Sequence, residues 1–90
     1  MQVSDTEKRE MFKQALGKVL LKLRKKNKLS ARSVAYSVDI SKTTVLLAEK
    51  GELDPQISTF CKIAEAFYIK PEKLMQMIFQ ELPNGWSFLD

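Results

Sequence analysis

The 90-residue sequence contains no histidine and only one cysteine, Cys61. A single chain therefore cannot form an internal disulfide bond or a Cys/His zinc site, and it cannot use histidine for acid–base catalysis. We expect no metal and no cofactor. Long hydrophobic runs are absent too, since nothing approaches the roughly 18 to 20 apolar residues of a membrane span. These absences predict a cytoplasmic protein that has no membrane association and is not an enzyme.

Positive charge is concentrated at the front of the chain, whose formal net charge is +4. Residues 1–28 contain nine Lys/Arg and three Asp/Glu, whereas residues 29–90 contain six and eight. A basic segment of this kind can serve a nucleic acid, an anionic membrane surface or simply solubility. Composition alone does not choose among these three roles.

Capping signals and apolar spacing predict three helices in the first half of the chain. Ser4-Asp5-Thr6-Glu7 has the form of a capping box that opens a helix ending near Asn27, which tolerates left-handed geometry. Its inward face is apolar at Phe12, Leu16, Val19, Leu20 and Leu23. Ser30 and Ser41 are good N-caps for two short helices, and Gly51 is placed to terminate the second of these.

The second half of the chain predicts two more helices. Asp54-Pro55 supplies an N-cap and a first-turn proline, and Lys70-Pro71 repeats the proline signal. The first of these helices is expected to turn Ile57, Phe60, Cys61, Ala64 and Phe67 toward the core, which would bury the thiol. Pro83-Asn84-Gly85 ends the second. Five helices with short connections predict one compact all-α domain over residues 1–90, with an apolar tail at 83–90.

Several sequence features in the middle of the chain resemble a known family. Leu29-Ser30 opens a short helix, and a second short helix follows a tight turn and ends in Glu49-Lys50-Gly51. Leu20-x-x-Leu23-Arg24 precedes them and Ile63-Ala64-x-x-Phe67-x-Ile69 follows. Over about residues 13–76, this order and spacing resembles the phage-repressor (Cro/C1, Xre-type) helix-turn-helix family. The resemblance implies a five-helix, lambda-repressor-like fold with its helix-turn-helix at about 30–50, and sequence-specific binding of double-stranded DNA.

The resemblance also implies which residues face DNA, because the third helix of this family lies in the major groove. Base edges would lie near Lys42, Thr43, Thr44 and Leu47. Phosphates would lie near Ser30, Ala31, Arg32, Lys50 and Lys28, with further attraction from Arg24, Lys25 and Lys26. Arg24 and Glu49 match a pair that links the first helix to the end of the third in this family, where its role is structural.

The sequence differs from the family pattern at the start of the second helix and on the third helix. Ala31 stands where the family commonly has glutamine, and the third helix carries Leu46 and Leu47, both expected on its exposed side. These leucines leave three roles open: a protein interface, contact with the groove, and partial burial against a neighbouring helix. The alternative function is therefore a protein-interaction module that uses the Leu46/Leu47 face and binds little or no specific DNA.

The end of the chain is unusually apolar at Trp86, Phe88 and Leu89. These residues are expected to pack either on the protein's own core or on a second subunit. A homodimer would suit DNA binding, because two half-sites multiply affinity and specificity. The leading hypothesis is a homodimeric repressor of a promoter or mobile-element operator. Since the family includes antitoxins, a toxin or another protein is a further candidate partner.

Overall fold

The computed structural model of the protein describes residues 4–89, which form five α-helices and contain no β-strand. In chain order the helices are α1 (Asp5–Lys26), α2 (Ala31–Ser37), α3 (Lys42–Glu49), α4 (Ile57–Ala66) and α5 (Pro71–Glu81). The prediction of an all-α fold with five helices in this order is confirmed. Residues 1–3 and 90, which belong to the predicted domain 1–90, lie outside the described residues.

Serine side chains cap the first three helices, as predicted. The hydroxyl oxygen of Ser4 accepts a hydrogen bond from the Glu7 amide at 3.1 Å. Ser30 accepts one from the Ser33 amide, and Ser41 one from the Thr44 amide, each at 3.0 Å. Such a hydroxyl satisfies an amide that has no partner within the helix and stabilises the helix by about 1 kcal/mol.

The helices α1 to α4 all end with a residue in the left-handed region followed by a backbone bond that closes the last turn. The left-handed residues are Lys28, Asp39, Gly51 and Tyr68, with φ between 55° and 75°. The closing bonds run from Leu29, Ile40, Glu52 and Ile69 to Arg24, Ala35, Leu47 and Ala64 respectively. This is the pattern of a Schellman motif, for which glycine is the usual residue, and only α3 uses glycine.

The end of α1 and the start of α4 correct two sequence predictions. Asn27 has φ of −91°, and it is Lys28 that adopts the left-handed conformation; Asn27 instead donates its side-chain amide to the Leu23 carbonyl at 2.7 Å. Helix α4 begins at Ile57, with Gln56 as its cap and no side-chain capping bond. Asp54-Pro55 therefore belongs to the connection, in which Leu53 packs against the core.

The core is built from one face of each helix. Its most deeply buried large side chains are Leu16, Leu20, Val34, Ile63, Leu74 and Ile78. Helix α1 packs against α3 and α5, and α4 packs against α2 and α5. Two predicted core positions are wrong: Ile57 is 84% exposed, and Cys61 is only half-buried. Both lie in the first half of α4, whose buried residues Ile63, Ala64 and Ala66 all lie in its second half.

The apolar tail folds back onto the protein's own helices. Trp86 packs against Phe12 of α1 and Phe79 of α5, with ring centroids 6.2 and 6.0 Å apart. Phe88 packs edge-on against Trp86 at 4.8 Å, and Lys8 donates to the Leu89 carbonyl at 2.8 Å. Of the two packing modes predicted for the tail, packing on its own core is the one seen for Trp86. Phe88 stays half-exposed and Leu89 is exposed.

Candidate nucleic-acid interface

Helices α2 and α3 pack against each other, and a tight turn at residues 38–41 joins them. The buried faces of the two helices carry small or β-branched residues, namely Ala31, Val34, Ala35, Val45 and Ala48. Short side chains at a crossing let two helices approach closely. The opposite face of α3, which begins with Lys42 and Thr43, is thereby directed away from the core.

An ion pair holds the end of α3 against α1. Arg24 Nε donates to Glu49 Oε2 at 2.5 Å and Arg24 Nη2 donates to Glu49 Oε1 at 3.0 Å. A third bond runs from Arg24 Nη1 to the carbonyl of Leu29 at 3.2 Å. The hydrogen bond to Glu49 raises the pKa of Arg24 above its ordinary value, and the charge of the carboxylate adds to this effect. The pair that the sequence predicted is therefore present, and it fixes α3 relative to α1.

A close approach of backbones accompanies the ion pair. Gly17 of α1 lies directly against the last turn of α3, where a Cβ atom at residue 17 would be 2.6 Å from the Glu49 carbonyl oxygen and 2.7 Å from that of Ala48. Any side chain at this position would collide with backbone atoms. The absence of a side chain at Gly17 thus sets how closely α3 lies against α1.

The four residues predicted near base edges fall into two groups. Lys42 and Thr43 are exposed, whereas Thr44 and Leu47 are half-buried. The Thr44 hydroxyl lies 2.7 Å from the Ser41 hydroxyl, in a hydrogen bond to its own helix cap. All four residues lie outside the buried Val45/Ala48 face. Thr43 and Leu47, four residues apart, are neighbours on the outer side of α3, and Lys42 and Thr44 lie to either side of them.

The leucine pair of α3 is not an exposed apolar face. Leu46 is half-buried and packs against the core cluster, and Leu47 is also half-buried. The prediction that both lie on an exposed arc is therefore wrong. Of the three roles left open for Leu46, partial burial is the one that the structure shows. Leu47 alone remains on the outer side, beside Thr43 and Thr44.

The residues predicted near phosphates are exposed with one exception. Ser30, Arg32, Lys50 and Lys28 are exposed. Ala31 is buried and belongs to the core, so its side chain cannot contact a phosphate. This prediction is corrected for a simple reason. The first turn of α2 packs on the protein interior, so the methyl group of Ala31 faces inward together with the side chains of Val34 and Ala35.

Comparison with known proteins identifies the family. A family model described as helix-turn-helix (HTH_3) matches residues 20–74, which is more than half of the chain. The chain belongs to the HTH_3 helix-turn-helix family. The match covers α2 and α3 completely, together with the part of α1 that carries Arg24.

A solved structure agrees with this HTH_3 assignment. The fold is similar to the crystal structure of an HTH_3 family transcriptional regulator from Vibrio cholerae, with a TM-score of 0.72 and 32% sequence identity. The similarity covers 91% of this chain and 46% of that chain, so this chain spans about half the length of that regulator. Comparison with curated proteins finds no match. The fold is that of the Cro/C1-type DNA-binding transcription regulators, as the sequence resemblance predicted.

The basic α1 of this HTH_3 protein uses some of its charge internally. Lys22 Nζ donates to Glu81 Oε1 of α5, and Arg24 is paired with Glu49. The hydrogen bond from Lys22 lowers the pKa of Glu81, and the charges of Lys22 and Lys18 add to the effect. Lys25 and Lys26 are exposed in the last turn of α1, close in sequence to Lys28 and α2. The positive charge available to a ligand is thus concentrated at the end of α1 nearest the helix-turn-helix.

Sequence reasoning did not single out Tyr36. This residue of α2 is 87% exposed and lies four residues after Arg32, so both occupy the same outward side of the helix. A tyrosine hydroxyl can donate to a phosphate oxygen. Helical spacing in the sequence could have indicated this outward position, because Tyr36 falls on the side of α2 away from the buried residues Val34 and Ala35.

Two further structural features are absent from the described part of the chain. Among residues 4–89, no helix combines the length and the apolar character needed to cross a membrane. Within the same residues, no group of three or more His, Cys, Asp or Glu side chains is arranged to hold a metal ion.

Proposed function

We propose that this protein is a transcriptional regulator that binds a specific double-stranded DNA site through α3 and acts as a repressor. The observation that carries the proposal is the exposed start of α3, Lys42 and Thr43, on a helix that is capped at its beginning and fixed in place at its end. Ser41 caps its beginning, and the Arg24–Glu49 pair holds its end against α1. A rigidly held helix can present side chains to base edges in one register.

The chemistry of the two exposed residues suits the major groove. The ammonium group of Lys42 can donate to the O6 and N7 atoms of guanine, and the Thr43 hydroxyl can donate or accept. Recognition helices of this type contact base edges with their N-terminal residues, which is where Lys42 and Thr43 stand. We assign base reading to these two side chains first.

Phosphate contacts would position the domain without reading sequence. Arg32 and Tyr36 lie on the outward side of α2, and Lys50 follows the last residue of α3. Lys28 lies between α1 and α2. Cationic groups flanking a recognition helix neutralise phosphates and release counterions, which makes the affinity fall steeply with salt concentration.

The protein-interaction alternative has less support in the structure. It requires Leu46 and Leu47 to form one apolar face, and Leu46 is instead packed against the core. A single half-buried leucine offers too little apolar surface for a partner helix, which usually inserts three or four anchor residues into a groove. The arrangement of α3 therefore favours DNA as its ligand.

We further propose that the protein binds DNA as a homodimer. Phe79, Phe88 and Leu89 are exposed apolar residues at the tail end of the molecule, and Phe79 and Phe88 both lie about 6 Å from the ring of Phe12. Burying this surface between two copies would form a dimer that carries two α3 helices. Two half-sites about 34 Å apart then give the two-fold symmetric operator typical of such dimers.

The test is selection from a random-sequence duplex pool by the purified protein, followed by sequencing. We expect enrichment of a two-fold symmetric site, and loss of this enrichment in Lys42→Ala/Thr43→Ala. The matched control is Lys70→Ala/Lys73→Ala, which removes two lysines at the start of α5 and should leave the enriched site unchanged. Equal enrichment by both double variants, or no enriched site for the wild-type protein, would contradict the proposal.

A further inference from the structure

The outer side of α3 has few free hydrogen-bonding groups. The Thr44 hydroxyl is engaged by the Ser41 hydroxyl, and Leu47 has no polar atom in its side chain. Within residues 4–89, neither Lys42 nor Thr43 forms a side-chain hydrogen bond, so among the four positions near base edges these two have polar groups that are not already bonded within the protein. The unpaired polar groups on this side of α3 are therefore those of its first two residues.

The same side of α3 presents a compact group of apolar atoms farther along the helix. Thr43 and Leu47 are four residues apart and Thr44 and Leu47 are three apart, so all three side chains are neighbours on one face. Leu47 is half-exposed, and unlike Leu46 it does not belong to the side chains packed against the core. The isobutyl group of Leu47 and the two threonine methyl groups thus form a small apolar patch next to the polar residues.

The base edges of the major groove display one apolar feature, the C5-methyl group of thymine. Cytosine presents an amino group at the adjacent position instead, and an aliphatic side chain would desolvate that donor without pairing it. We infer that Leu47, flanked by Thr44, contacts the C5-methyl group of a thymine and so selects thymine at one position of each half-site. This inference rests on the proposed DNA-reading function of α3.

The probe is the selected operator duplex with its thymines replaced one at a time by uracil. Uracil keeps the Watson–Crick pairing and the O4 acceptor of thymine and lacks only the methyl group, so the substitution isolates the apolar contact. Burial of one methyl group corresponds to a change of about fourfold in affinity. We expect one thymine per half-site at which uracil raises the Kd by about fourfold, and no effect at thymines outside the half-sites.

Two protein variants assign this effect to a residue. In Leu47→Ala the side chain no longer reaches the methyl group, so the duplexes containing thymine and uracil should bind with equal affinity. Lys50→Ala is the control: it should weaken both duplexes equally and keep the fourfold ratio. Circular dichroism of Leu47→Ala checks that the helices are intact, which the half-exposed position of the residue leads us to expect.

The outcomes separate this inference from the function on which it rests. A uracil penalty that disappears in Leu47→Ala supports methyl contact by Leu47. Uracil substitutions without effect, or a penalty that persists unchanged in Leu47→Ala, overturn the inference while a selected operator still stands. If selection yields no operator at all, the DNA-reading function fails, and the inference fails with it.

Discussion

Arg24 in α1 and Glu49 at the end of α3 form a two-point ion pair, with N···O distances of 2.5 and 3.0 Å. The Glu49 carboxylate is almost completely buried, since its side chain is 8% exposed, and that of Arg24 is 22% exposed. The same guanidinium donates to the Leu29 carbonyl in the connection that leads to α2. One side chain therefore joins α1 to both ends of the helix-turn-helix.

Removing one partner of this pair should destabilise the protein more than replacing both partners. Glu49→Gln leaves the guanidinium without its counter-charge, and we expect a loss of about 2 kcal/mol in the free energy of unfolding, less than for a fully buried pair because Arg24 is partly solvated. Arg24→Met/Glu49→Leu removes both charges and should cost less than either single change. Urea denaturation of the variants measures this, and a double variant as unstable as the sum of the singles would argue against the pairing.

Gly17→Ala should destabilise the protein by about 1–3 kcal/mol, because the new methyl group would overlap backbone carbonyl oxygens of α3. The direction of the change in stability is informative, because replacing glycine by alanine inside a helix otherwise stabilises a protein by about 1 kcal/mol. Lys18→Ala, at the next and exposed residue, is the matched control and should change the stability little. A more stable Gly17→Ala protein would mean that α1 and α3 lie farther apart than described.

Tyr68→Gly should stabilise the protein by about 0.5–1 kcal/mol. Tyr68 has φ of 59° and is 97% exposed, so it bears the cost of left-handed backbone without packing that would offset it. Glycine relieves this strain. The resulting stabilisation is partly offset because glycine has a larger conformational entropy in the unfolded chain. Tyr68→Ala removes the same ring but keeps the strain, so thermal melts should show a higher Tm only for the glycine variant.

Lys22→Met should raise the pKa of Glu81 toward its ordinary value of 4.5, because it removes the hydrogen bond that lowers that pKa. A lowered pKa in the folded state means that this carboxylate stabilises the fold above the pKa it has in the unfolded chain. The contribution is lost as pH falls through the lowered value. An NMR titration of the Glu81 carboxyl group in both proteins checks this, and equal midpoints would exclude the interaction in solution.

The sequence predicted what depends on local chemistry. The caps Ser4, Ser30 and Ser41 and the chain reversal at Gly51 follow from bonds within a few residues, and all four are present. The start of α4 was misplaced because Asp54-Pro55 has the local signature of a helix start, whereas in the structure this segment lies outside the helix and follows Leu53, which packs on the core. Tertiary packing here outweighs a capping signal.

The candidate site was predicted only in part, because helical spacing is local whereas burial depends on tertiary packing. Lys42, Thr43, Arg32 and Lys50 are exposed as the resemblance implied, since helical spacing fixes which residues face outward. The burial of Ala31 and Leu46 depends on how α2 and α3 lie on the other helices, which spacing within one helix does not specify. The close approach at Gly17 likewise exists only once α1 and α3 are packed together.

The central claim, that α3 reads DNA sequence, is tested most directly by the ratio of affinities for the selected duplex and a scrambled duplex, measured by fluorescence anisotropy at two salt concentrations. We expect Lys42→Ala to lower this ratio by about 5- to 100-fold, since it removes a base contact. Lys50→Ala should weaken both duplexes about equally and reduce the salt slope by about one. If Lys42→Ala instead leaves the ratio unchanged and lowers only the overall affinity, α3 does not read bases through Lys42 and the account is contradicted.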